Sequence, residues 1–321
     1  MPSLPTLAEI EAVAAEVERV VPPTPQFSWP LLNARTGCEL WVKHDNHTAL
    51  GAFKIRGLVH YLNRVAARQP DVRGVIAATR GNHGQAVAFA AGRLGLTATI
   101  VVPHGNSVEK NRAMRALGAE LIEHGEDFQA ALEHSRRLAA ERNLHAVPSY
   151  HADLVTANAG SALAFLRRSP PLERVYVPVG LGSGICAMLA ARDALRLTTA
   201  VVGVVADLAP AVALSFAQGS LVTAPATTRI ADGLACSTPH PEALTHVLQG
   251  ADHIVRVTEA EVEAAMRAYF TDTHNVAEGA AAAALAAVLQ EQDRLTGRRI
   301  GVVCTGGNVD ATVFARVLAA G

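Results

Sequence analysis

The feature that most restricts the fold of this chain is a regular beat of short apolar runs and helical stretches. Gly74 to Ala78, Ala98 to Val102, Val175 to Val179, Ala200 to Val205, His253 to Val257 and Arg299 to Cys304 read as strands rich in Val, Ile and Ala. Segments of helical periodicity alternate with them: Asn82 to Leu94, Ser107 to Leu117, Glu126 to Glu141, Asp153 to Arg167, Ser183 to Leu195, Pro210 to Gln218 and Pro241 to Leu248. Further helices start near Glu259, Ala277 and Asn308. Short strands at Glu39 to Lys43, Glu120 to Glu123 and Leu144 to Val147 fill the remaining gaps. Strands without a polar face need cover on both sides, so the pattern predicts open, mainly parallel sheets flanked by helices: an α/β fold. Ahead of it, Thr6 and Glu9 form a capping box for a helix reaching about Val20, which Pro22-Pro23-Thr24-Pro25 ends.

Composition narrows the function classes. With 321 residues, 50% hydrophobic and 18% charged, the chain can build a large core, and disorder is not expected. A net charge of −1 without a basic patch disfavours nucleic acid and anionic membranes as partners. The first twenty residues lack the apolar core of a signal peptide, and the most apolar run, Ala280 to Leu289, is too short to span a bilayer. Four scattered cysteines, Cys38, Cys186, Cys236 and Cys304, read as reduced thiols, so a cytoplasmic location is expected. Thirteen histidines are dispersed with no HExxH or HxxxH spacing, and no metal ligand set is predicted.

Of 28 basic side chains only three are lysines: Lys43, Lys54 and Lys110. Arginine stays protonated and cannot form an imine, whereas a lysine in a dry setting can. Lys54, inside Leu50-Gly51-Ala52-Phe53-Lys54-Ile55-Arg56-Gly57, is the candidate for a covalent lysine. Three further motifs stand at strand ends. Thr79-Arg80-Gly81-Asn82-His83 follows one apolar strand and opens a helix, whose free N–H groups favour an anion. Gly180-Leu181-Gly182-Ser183-Gly184 repeats that geometry, with Ser183 as a hydroxyl donor to a phosphate. It is neither a P-loop nor a nucleophile elbow. Thr305, after the last strand, offers a neutral hydroxyl to a ring nitrogen. Ligands bind along that rim of open parallel sheets. An imine lysine, a phosphate cup, an amide donor from Asn82 to a phenolic oxygen and a partner for a pyridine nitrogen together fit pyridoxal phosphate.

The order of these motifs resembles the serine/threonine dehydratase branch of the fold-type II pyridoxal-phosphate enzymes, from about Pro22 to the end. The resemblance implies a tryptophan-synthase-β-like fold of two domains sharing a cofactor cleft. Residues 1–40 and 158–321 would form the larger, cofactor-binding domain, and residues 41–157 the smaller one. It further implies that Lys54 binds the cofactor and shuttles protons, with Phe53 packed beside it and Asn82 on O3′. Gly180, Leu181, Gly182, Ser183 and Gly184 would hold the phosphate, and Thr305 would face the ring nitrogen. The backbone of Thr79, Arg80, Gly81, Asn82 and His83 would hold the substrate carboxylate. Ala231-Asp232-Gly233 and Val276-Ala277-Glu278-Gly279-Ala280 match further segments of the family.

Several positions depart from the pattern. Leu50 stands where the family usually has Thr, and the glycine cup is interrupted. Val205 replaces a Glu that serves as cation ligand in metal-activated members, leaving Asp207 as the nearest carboxylate. Arg80 replaces a small residue that is serine in the racemases. The expected reaction is β-elimination on a β-hydroxy amino acid such as threonine or serine, giving a 2-oxo acid and ammonia. 3-Hydroxyaspartate and phenylserine-like substrates fit the same chemistry. A racemase or a β-replacement synthase of the same fold is the alternative, but a guanidinium at position 80 is a poor two-way acid and base. A non-catalytic cofactor-binding protein is disfavoured by the retained Lys54. A small-molecule amino acid is the expected partner, with a homo-oligomer, most simply a dimer, as the assembly.

Overall fold

A computed structural model describes residues 3–320, so Met1, Pro2 and Gly321, the ends of the expected larger domain, lie outside the described residues. Among the described residues ten strands form two sheets. In chain order they are β1 (Gln26–Ser28), β2 (Glu39–His44), β3 (Gly74–Ala78), β4 (Thr97–Val102), β5 (Glu120–Glu123) and β6 (His145–Ala146). Then follow β7 (Arg174–Pro178), β8 (Ala200–Ala206), β9 (His253–Val257) and β10 (Arg299–Cys304). The larger sheet has the order β1-β2-β10-β7-β8-β9, and the smaller β5-β4-β3-β6. Every pairing is parallel except β1 with β2. The two-domain, mainly parallel α/β fold expected from the sequence is what forms.

Burial accounts for this choice. β3 is buried along its whole length and β7, β8 and β10 from their second residue onward, so each needs helices on both faces. One face of the larger sheet packs on helices Glu259–Thr273 and Gly279–Gln290, the other on Ala152–Arg168 and Ser183–Ala194. Alanines let helix Gly279–Gln290 come very close: a Cβ on Gly279 would lie 2.1 Å from the Ile230 carbonyl oxygen. Capping boxes at Thr6–Glu9 and Thr258–Glu261 start their helices by satisfying N–H groups that no earlier turn can reach. All four cysteines are buried and unpaired. Among the described residues no helix is long and apolar enough to cross a membrane.

Both expected domain boundaries move. β2 pairs along its length with β10, Glu39 against Arg299 through His44 against Cys304, so residues 41–44 belong to the larger sheet rather than the smaller domain. The cut at 157/158 falls inside the continuous helix Ala152–Arg168. That helix packs Leu154 and Ala157 into the core of the smaller sheet, and Val155, Ala159 and Leu163 into that of the larger. It is shared between the two bodies and belongs to neither alone. β1 and the helix Pro30–Thr36 were not visible in the sequence; the strand has three residues, none of them fully buried.

Candidate active site

The C-terminal ends of β3, β7 and β10 open onto one cavity of about 830 Å³. Phe53, Lys54, Thr79 to His83, Gly180 to Gly184 and Thr305 all line it, so the residues singled out from the sequence converge on one place.

Lys54 is the first residue of helix Lys54–Arg68. The preceding segment is zipped to the chain beyond β10. Phe53 N–H donates to the Thr305 carbonyl at 3.0 Å, Ala52 bridges Gly306, and Gly307 N–H donates to the Gly51 carbonyl at 2.9 Å. Gly51 has φ +67°, and a Cβ there would meet Asn308 Oδ1 at 2.7 Å. The backbone thereby fixes the lysine against Thr305, whose side chain is buried in the cavity wall. Lys54 Nζ stands 4.9 Å from the centroid of the Phe53 ring. Burial pulls its pKa down to about 8, against the attraction of Glu278. Such an amine is about one-tenth neutral at pH 7, over a hundred-fold more than an ordinary lysine of pKa about 10.4. The His83 imidazole is buried with both ring nitrogens unpartnered, and desolvation first, then Lys54, push its pKa down to about 3. It is a neutral ring beside the amine.

Two helix starts face the cavity. Helix Asn82–Arg93 follows Gly81, with Gln85 N–H to the Gly81 carbonyl as its first turn bond. Helix Ser183–Ala194 follows Gly182 at φ +103°, with Cys186 N–H to the Gly182 carbonyl. The N–H groups before those bonds have no partner within the helix, and they meet an anion favourably. Two positions of the second cup admit only glycine. A Cβ at Gly180 would lie 2.7 Å from the Gly233 carbonyl oxygen, and one at Gly182 2.7 Å from Ala243 Cβ. The Phe53 ring lies 3.8 Å from the position a Gly184 Cβ would take. The cradle, the amine and the flat apolar wall of Phe53 suit a phosphorylated aromatic aldehyde.

The structure adds an ionic cluster that sequence reasoning missed. Lys110 Nζ lies 2.7 and 3.0 Å from the two Asp232 oxygens and 3.3 Å from Glu278 Oε2. All three line the cavity, and Lys110 and Glu278 are buried. The two carboxylates hold the Lys110 ammonium well above its ordinary pKa despite its burial. Burial raises that of Glu278, with Lys110 opposing. Glu278 Oε1 accepts from Asn82 Nδ2 at 2.6 Å, and Asn82 Oδ1 accepts from Asn308 Nδ2 at 2.9 Å. The Asn82 amide is thereby oriented, with one N–H left to give. Gly81 is needed for this packing, since a Cβ there would be 2.4 Å from Lys110 Cδ. The scarcity of lysine marked position 110 as it marked 54, and that was the available signal. Lys43, the third, is buried and donates to the Thr24 carbonyl at 2.7 Å. Asp207 is engaged by Arg256 at 2.6 Å.

Comparison with known proteins agrees with this geometry. The family described as "Pyridoxal-phosphate dependent enzyme" matches residues 17–306. An L-threonine ammonia-lyase of Thermotoga maritima is 32% identical over 98% of this chain and 78% of its own. An L-threo-3-hydroxyaspartate ammonia-lyase of Saccharomyces cerevisiae is 29% identical over 98% of this chain and 97% of its own. Among solved structures, a threonine deaminase of T.th. superposes with a TM-score of 0.87 at 28% identity, covering 95% of this chain and 99% of that one. Motifs, cavity and relatives converge: the chain belongs to the pyridoxal-phosphate-dependent enzymes, in the threonine/serine ammonia-lyase branch.

Proposed function

We propose that this cavity eliminates the β-hydroxyl of an amino acid such as threonine or serine, with Lys54 as the cofactor-attaching amine and the base. The observation that carries the assignment is the lowered basicity of Lys54 at a rim between two helix starts. Pyridoxal phosphate supplies an electron sink for the charge that develops at Cα. The amides and Ser183 of residues 180–184 would hold its phosphate, Asn82 would donate to its phenolic oxygen, and Thr305 would offer its hydroxyl to the ring nitrogen. A hydroxyl there does not force that nitrogen to stay protonated, which favours elimination over transamination.

The start of helix Asn82–Arg93 would orient the substrate carboxylate, and the Lys54 amine would take the Cα proton. The β-hydroxyl leaves as water on taking up one proton, so that the net loss is H2O, and the released enamine tautomerises to an imine that hydrolyses to a 2-oxo acid and ammonia. Hydride trapping followed by peptide mapping tests the assignment: the label belongs on Lys54, and Lys54→Ala should lose both label and turnover. A label on Lys43 or Lys110, with turnover retained, would refute it.

A further inference from the structure

Four cationic side chains line the cavity: Lys54, Arg80, Lys110 and Arg136. Lys54 belongs to the chemistry, and Lys110 is neutralised by Asp232 and Glu278. Arg80 and Arg136 are different. Neither makes an ion pair or a side-chain hydrogen bond among the described residues. Arg80 is half-buried, and its Nε is shut off from water with no partner at all. Asp127, an acid in the same wall, is occupied in accepting from Ala130 N–H as the cap of helix Phe128–Glu141. Elsewhere half-buried or exposed arginines such as Arg35, Arg142, Arg256 and Arg316 find carboxylates at 2.6 to 2.9 Å.

A guanidinium drawn partly out of water without a counter-ion favours any anion that enters. The substrate's α-carboxylate already has the N–H groups at the start of helix Asn82–Arg93. A second anion on the substrate would therefore find Arg80 free, with its planar fork matched to a carboxylate. On a β-hydroxy amino acid the variable position is the remaining substituent of Cβ. Hydrogen or methyl there leaves the guanidinium unpaired, while a carboxylate satisfies it. Arg136, exposed at the cavity wall, adds charge of the same sign.

Resting on the elimination chemistry proposed above, we infer that Arg80 is a specificity-determining residue that binds a second carboxylate, so that the preferred substrate is a β-hydroxy amino acid with an acidic β-substituent. The bond changes are those of the simple substrate. The Cα–H proton passes to Lys54, the Cβ–O bond breaks and the departing hydroxyl takes up one proton to leave as water, so that the net loss is H2O; the enamine left behind tautomerises to an imine, whose hydrolysis releases ammonia and a dicarboxylic 2-oxo acid.

The test compares kcat/KM for 3-hydroxyaspartate, in its threo and erythro forms, with that for L-serine and L-threonine, in wild type, Arg80→Ser and Arg80→Lys. Wild type should favour a 3-hydroxyaspartate isomer over both neutral substrates. The acidic-to-neutral ratio should fall roughly 10- to 100-fold in Arg80→Ser, the span of one charged hydrogen-bonded pair. Arg80→Lys, which keeps the charge and loses the fork, should fall between. Equal preference in wild type, or an Arg80→Ser loss common to all substrates, overturns the inference while leaving elimination intact. Failure of wild type to release a 2-oxo acid from any of them overturns the elimination reading and this inference with it.

Discussion

Replacing Lys110 with Met tests the buried cluster most directly. The ammonium lies 2.7 Å from Asp232 and 3.3 Å from Glu278, and the three side chains are 7%, 21% and 4% exposed. At an effective dielectric constant near 20 each contact represents about 5 to 6 kcal/mol of attraction, much of it cancelled by desolvation of the ions. Removing one partner from such a group costs about 3–5 kcal/mol, because the carboxylates left behind are uncompensated. The loss should depend on pH, since Glu278 can escape by taking up a proton. Its unfolded pKa is about 4.3, so neutralising it in the fold costs about 5 kcal/mol near pH 8 and only about 1.5 near pH 5.5. A carboxyl whose folded pKa is raised destabilises the fold at high pH and ceases to do so as pH falls. The gap between wild type and Lys110→Met should therefore narrow on acidification. Urea unfolding of both proteins, stripped of cofactor to remove ligand linkage, measures it at the two pH values. Glu278→Gln in the Lys110→Met background should recover part of the loss near pH 8. A loss below about 1 kcal/mol at both pH values, or one that does not vary with pH, would refute the reasoning.

The lowered pKa of Lys54, about 8, makes the rate of pyridoxal-phosphate reconstitution rise with pH and level off above about 8. A continued rise toward about 10.4 in stopped-flow absorbance would identify an ordinary exposed lysine instead. Gly279→Ala places a Cβ 2.1 Å from the Ile230 carbonyl oxygen, and the backbone must shift. A loss of about 1–3 kcal/mol is expected, read as a lower urea midpoint, and an unchanged midpoint would contradict the packing. Val205 offers no oxygen ligand and Asp207 is held by Arg256 at 2.6 Å, so chelation of divalent cations should leave turnover unchanged. A reversible loss with EDTA would point to another oxygen site.

Legibility of the sequence followed the range of the interactions. β3 and β10 have the bounds their apolar runs suggest, because a strand buried on both faces writes that burial into its own residues. β1 carries no such mark; it is short, and its pairing with β2 places it. The boundary at residue 41 was misread for the same reason. β2 joins the larger sheet through β10, which lies at the far end of the chain. In the site, Lys54 and the two glycine-bearing loops were legible because each is a local motif at a strand end. The Lys110–Asp232–Glu278 cluster joins three distant segments and exists only in the folded state. Arg80 was visible as an odd residue, but the missing counter-ion that gives it meaning required the cavity.

Glu278 immediately precedes a helix whose residues are buried without a break from Gly279 to Val288. Amide protons in such a segment meet solvent only when the body of the larger domain opens, so they exchange on the slowest timescale of the molecule. The carboxylate that orients Asn82 is thus mounted at the start of a fully buried helix. Helix Asn82–Arg93, which carries Asn82 itself, packs instead on the smaller sheet. The hydrogen bond between them ties a helix of the larger body to one of the smaller. Free energy gained when a ligand enters is then expressed as slowed exchange around residues 79–84, while residues 280–288 report only global unfolding.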